Sequence, residues 1–114
     1  VTAARYETLL WLLQRASAAV LAVCVAVHLV TIVLAVRGGL SAAEILARTR
    51  GSAAWAAFYA VFVLAVAIHA PIGLRTIARE AAGWRGAGLE IATLALGAAL
   101  GLIGWRAVAG LVAA

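Results

Sequence analysis

A chain of 114 residues that is 68% hydrophobic and 11% charged, with a mean hydropathy of +1.15, cannot be a water-soluble domain. Small domains bury only part of their surface, so this much apolar side chain requires lipid to cover it. The net charge of +5 comes from arginines alone, each at or beyond the end of an apolar run, which fits headgroup anchoring and argues against a nucleic-acid partner.

The residues from Val1 to Thr8 lead straight into the first apolar run without a small-residue cleavage pattern, so no cleavable signal peptide is expected. An opening on Val1 implies that an initiator methionine and a short leader precede it. The first charge-free run is Ala16 to Val36, bounded by Arg15 and Arg37. The second runs from Ala53 to Leu74 and closes at Arg75. The third lies between Glu90 and Arg106, with an apolar tail to Ala114, and spans only if it starts at Leu89 and Arg106 snorkels. Since crossing about 30 Å of hydrocarbon takes about 20 helical residues, the pattern predicts an all-α integral membrane protein. Its three transmembrane helices fall at about 10–36, 53–80 and 89–112 in a single domain, 1–114.

Between the first two spans, Ser41-Ala42-Ala43-Glu44 has the form of a capping box, with Leu40 and Ile45 placed as a hydrophobic staple. A short interfacial helix is expected over about 42–49, stopped at Gly51. The segment from Arg75 to Gly88 should begin helical and break between Gly83 and Gly88. Five arginines on the N-terminal side (5, 15, 75, 79, 85) against four opposite (37, 48, 50, 106) favour a cytoplasmic N-terminus.

Each span carries one polar or small-residue stripe. In the first, Ser17, Cys24, His28 and Thr31 fall within one arc at 100° per residue, with Gln14 at its edge. In the second, Trp55, Phe62, His69, Gly73 and Thr76 share a face; in the third, Glu90, Thr93, Gly97, Gly101 and Gly104 do. Gly97 to Gly101 is a small-xxx-small spacing that allows close helix approach. Cys24 stands alone, which excludes an intrachain disulfide and a multi-cysteine metal or iron–sulfur centre.

The second span ends in Ile68-His69-Ala70-Pro71-Ile72-Gly73-Leu74-Arg75. An ionisable side chain in a bilayer is costly and marks a site. Pro71 removes the donor that the Ala67 carbonyl would use, and Gly73, one turn beyond His69, leaves room for something flat. Two intramembrane histidines on such faces suit axial haem ligation, proton carriage or simple helix–helix hydrogen bonding. Measured from Arg75 and Arg15 at ~1.5 Å per residue, His69 and His28 lie about 10 Å apart in depth. Two imidazoles on one iron need nitrogens about 4 Å apart, twice a metal–nitrogen bond of about 2 Å. Two haems at two depths, each completed by another chain's histidine, fit that gap better than one shared haem.

Gln14-Arg15-Ala16-Ser17-Ala18 is similar to the His-Arg-x-Ser-Gly motif, and His69 to Arg75 to the His-x-x-x-Gly-x-Arg motif, of the cytochrome b membrane anchors of succinate:quinone and fumarate:quinone oxidoreductases. The resemblance covers about residues 10–80; Gln14 stands where the family usually has histidine, Ala18 where it has glycine, and Thr76 where a further histidine often follows. It implies that His69 is an axial haem b ligand and that His28 is the extra first-helix ligand of the two-haem branch. It places Arg15 and Ser17, with Trp11 and Gln14 as lesser candidates, near a ubiquinone or menaquinone pocket and the haem propionates, and gives Arg75 a propionate or quinone oxygen as partner.

The implied role is non-catalytic electron transfer in a bacterial inner (cytoplasmic) membrane. FAD and iron–sulfur clusters would sit on a flavoprotein and an iron–sulfur subunit, and a second copy or another three-helix chain would complete the anchor. The alternatives are a haem b anchor for another respiratory dehydrogenase, such as a formate or hydrogen enzyme, and a haem-free helical assembly subunit. A small transporter is less favoured, since no acidic residue lies mid-membrane.

Overall fold

The computed structural model describes residues 2–113, so Val1 and the end of the apolar tail at Ala114 lie outside the described residues. Four helices follow in order: α1 (Ala3–Arg37), α2 (Ala42–Thr49), α3 (Ala53–Ala81) and α4 (Ala87–Val112). Three of them, α1, α3 and α4, are long and apolar enough to cross a membrane.

Helix α1 starts seven residues before the expected position, because Thr2 caps it by accepting the Arg5 N–H on its hydroxyl at 3.2 Å. The α2 capping box forms as expected: Ser41 Oγ accepts the Glu44 N–H at 3.2 Å, and Glu44 Oε1 accepts the Ser41 N–H at 3.2 Å. Glu44 is held below its usual carboxylate range chiefly by that backbone N–H, then by the Ser41 hydroxyl. Gly51 ends the segment at φ +71°. Its N–H donates to the Val112 carbonyl at 2.8 Å and Thr49 Oγ1 donates to that of Leu111 at 2.8 Å, tying α2 to the end of α4.

Helix α3 is the middle of the bundle and packs against both α1 and α4. It therefore has two protein-facing sides, where one stripe was expected. His69 and Ser17 meet across the α1 seam, whereas Ala67 and Pro71 meet α4. The α4 glycines face α3 as their spacing predicted. A Cβ at Gly97 would lie 3.2 Å from the Ala67 carbonyl oxygen, the one Pro71 deprives of its donor, and one at Gly104 would lie 2.5 Å from Val63 Cγ1. The proline therefore sits where the neighbouring backbone comes closest. The buried hydrophobic set is short (Cys24, Ala65, Ile72, Leu89, Val108), while valines and leucines along α1 point outward, as befits a protein whose solvent is lipid.

Candidate functional site

His69 is positioned by the seam between α1 and α3. Its Nδ1 lies 3.3 Å from Ser17 Oγ, and Ser17 is 5% exposed. The Ser17 hydroxyl is also within reach of the Gln14 carbonyl at 3.1 Å; when its single proton goes there, the oxygen accepts from a hydrogen on Nδ1. Nε2 is then the bare nitrogen, with its lone pair available. A hydrogen bond on one ring nitrogen that fixes the tautomer and bares the other is the usual arrangement of a ligating histidine.

Gln14 completes the cluster and fills the space expected to stay open beside Gly73: its Nε2 would lie 3.2 Å from a Cβ at that position. Its Oε1 is buried without a hydrogen-bond partner among the described residues. An orphaned buried acceptor on the residue whose backbone carbonyl meets Ser17 marks a place built for a further group rather than finished packing.

His28 is arranged differently. Its Nδ1 lies 2.9 Å from Tyr59 Oη, and its ring meets Tyr59 and Phe62 edge-on at 5.6 and 5.5 Å. The phenol and Nδ1 share one hydrogen bond whose donor follows the ring's tautomer. The two histidines are thus set differently, one against a serine and the other against a tyrosine within an aromatic cluster. They are also further apart in depth than the arginines implied. Ser17 and His28 are 11 positions apart on α1, about 16 Å at 1.5 Å per residue, and Tyr59 and His69 give about 15 Å on α3. One iron cannot bind both rings.

Arg75 is 5% exposed and held by two carboxylates from two other helices. Its Nε donates to Glu90 Oε1 at 2.9 Å, and its Nη1 and Nη2 donate to Glu7 Oε2 and Oε1 at 3.3 and 2.8 Å. Arg79 adds a bond to Glu7 Oε1 at 2.9 Å, and Tyr6 Oη donates to Glu90 Oε2 at 3.1 Å. Sequence reasoning missed Glu7, Tyr6 and Tyr59. The available signal was that two carboxylates at span ends lay level with an arginine. Arg15 and Trp11 are exposed and pair with each other, the guanidinium 5.3 Å from the indole centroid. The structure thus joins Gln14, Ser17, His69 and Gly73, engages Arg75 in a clasp, and leaves Arg15 and Trp11 outside that cluster.

The family model described as succinate dehydrogenase/fumarate reductase transmembrane subunit matches residues 1–109. The chain belongs to this family. It is accordingly a transmembrane subunit of the kind that anchors the flavoprotein and iron–sulfur subunits of those complexes. No curated protein and no solved structure matches the chain. Among the described residues of this anchor subunit, no three His, Cys, Asp or Glu side chains converge as a metal set, whereas axial haem ligation needs only a single bare imidazole per chain.

Proposed function

We propose that this anchor subunit binds haem b through His69 and passes electrons between an iron–sulfur subunit and membrane quinone in a succinate/fumarate:quinone oxidoreductase-like complex. The observation that carries the reading is that His69 Nδ1 is engaged by Ser17 Oγ, itself within reach of the Gln14 carbonyl, so that Nε2 is left for a ligand, while Gln14 Oε1 is buried without a partner among the described residues. Haem, when bound, supplies the one-electron chemistry; the chain's part is to hold the imidazole, exclude water and set the local dielectric.

The second axial imidazole comes from another chain, since His28 is about 15 Å away in depth. A second copy of this chain or another three-helix anchor fits that need, and a flavoprotein carrying FAD together with the iron–sulfur subunit completes the complex. The membrane is the bacterial inner one, with the N-terminus on the cytoplasmic side. Quinone binding falls to Ser17 and Gln14, with Arg15 and Trp11 at the rim. Haem ligation is proposed here for His69 alone; His28 lies at its own depth, with Nδ1 bonded to Tyr59.

The test is the visible spectrum and pyridine haemochrome of the purified complex. Wild type should show a Soret band with haem b at a single site per pair of anchor chains, and His69→Ala should lose it while retaining helical circular dichroism. A complex without haem, or a His69→Ala variant with its full Soret band, refutes the proposal and favours a haem-free assembly subunit. Co-purifying subunits of another type would redirect the anchor to a different dehydrogenase.

A further inference from the structure

A cavity among the described residues lies away from His69, at the end of the bundle where α2 sits. It holds about 550 Å³ and is walled by α1, α2, α3 and α4, from His28 and Tyr59 at its inner end to Arg48 and Thr49 at its mouth. At about 30 Å³ for each water-sized unit of liquid, that is room for on the order of 18 such units, the size of one acyl chain. Most of the wall is aliphatic or aromatic, and its hydroxyls are already engaged within the protein. Thr31 donates to the His28 carbonyl at 2.7 Å, Thr49 donates to that of Leu111 at 2.8 Å, and Tyr59 Oη is paired with His28 Nδ1 at 2.9 Å. Such a wall offers little to water and leaves its lining short of contacts unless hydrocarbon enters.

The mouth has the opposite character. Arg48 is the only charged side chain on the wall, and it makes no ion pair among the described residues. It stands on α2, fixed across the end of α4, next to Arg37 and Arg50 in sequence order on the same side of the bundle. The one carboxylate nearby in sequence, Glu44, is taken up by the Ser41 cap. A cation at headgroup level above an apolar shaft fits an amphiphile with an anionic head and a long chain.

We propose that this cavity binds an anionic phospholipid, its phosphate on Arg48 and one acyl chain running inward past Ala35 and Val63 toward the His28–Tyr59 pair. The site is independent of haem at His69 and requires only that the subunit sit in a membrane. One wall group, the His28 imidazole, would also suit a carbonyl-bearing head, so quinone and haem are measured alongside phospholipid.

The experiment uses the intact complex reconstituted in phosphatidylcholine vesicles containing a minor fraction of phosphatidylglycerol, then extracted gently and analysed by native mass spectrometry. Wild type should retain phosphatidylglycerol in preference to phosphatidylcholine. Arg48→Gln should lose that preference several-fold, Arg48→Lys should keep most of it, and Ala35→Phe, which fills the shaft, should expel the lipid, all three with unchanged Soret absorbance. Equal retention of the two lipids, retention unaffected by both Arg48→Gln and Ala35→Phe, or a quinone or second haem displaced by Ala35→Phe would each overturn the proposal. Loss of the Soret band from wild type would instead strike the His69 reading and leave this one standing.

Discussion

Replacing Arg75 with glutamine tests whether the three long helices are pinned together at one point. The side chain makes charge-assisted bonds of 2.8 to 3.3 Å to Glu7 of α1 and Glu90 of α4. Breaking a buried ion pair by removing one partner costs about 3–5 kcal/mol where both groups are buried. Here Arg75 is buried, but the side chains of Glu7 and Glu90 are 47% and 35% exposed and recover hydration when released. That discounts the loss to about 2–3 kcal/mol.

Reversible unfolding in mixed micelles of dodecyl maltoside and sodium dodecyl sulfate, followed by far-ultraviolet circular dichroism, reads this number directly. Arg75→Lys should fall between wild type and Arg75→Gln, because an ammonium lacks the planar fork that reaches two carboxylates. Adding Glu7→Gln and Glu90→Gln to Arg75→Gln should recover part of the loss by removing unpaired charge. A cost below about 0.5 kcal/mol, the range of an ordinary surface substitution, would refute the clasp.

Gly104→Ala should destabilise the α3–α4 seam by about 1–3 kcal/mol, since the new methyl would meet Val63 Cγ1 at 2.5 Å and Cβ at 3.2 Å; Val63→Ala on the same background should restore most of it in the same unfolding assay. Ser17→Ala should keep haem bound but shift its midpoint potential and weaken retention, measured by redox titration, because His69 Nδ1 loses its hydrogen-bond partner. The Glu44 cap stabilises α2 above the ordinary carboxylate range and is lost as pH falls through the lowered value, so the protection factors of the Ile45 and Leu46 amides, measured against intrinsic exchange at each pH, should fall on acidification in wild type and show no such step in Glu44→Gln.

The spans were legible because charge does not enter hydrocarbon: Arg15, Arg37 and Arg75 bound the charge-free runs, although in the fold α1 begins before Arg15 and α3 continues past Arg75. The α2 cap was equally plain, since Ser41 and Glu44 act within one turn. What a single chain could not reveal was register between helices. The depth of the histidines was judged by setting Arg15 and Arg75 at one level, but Arg75 pairs with Glu7, eight positions earlier, so the true separation is larger. The stripe on α3 was read correctly for His69 and Gly73, yet the opposite side, Ala67 with Pro71, is also covered, because a central helix has two neighbours. Ser17 and His69 each stood out; that the serine sets the imidazole's tautomer follows only once the two are side by side.

With α3 in the middle, the two outer helices owe their places chiefly to it, and the break between them falls at Gly51, before α3 begins. A polypeptide interrupted there divides into an α1–α2 half and a self-contained α3–α4 hairpin whose glycine seam stays intact. The hairpin can therefore pair without the α1–α2 half, which emerges earlier and docks on α3 once the hairpin has formed. Two genes expressing the halves should reassemble a working subunit.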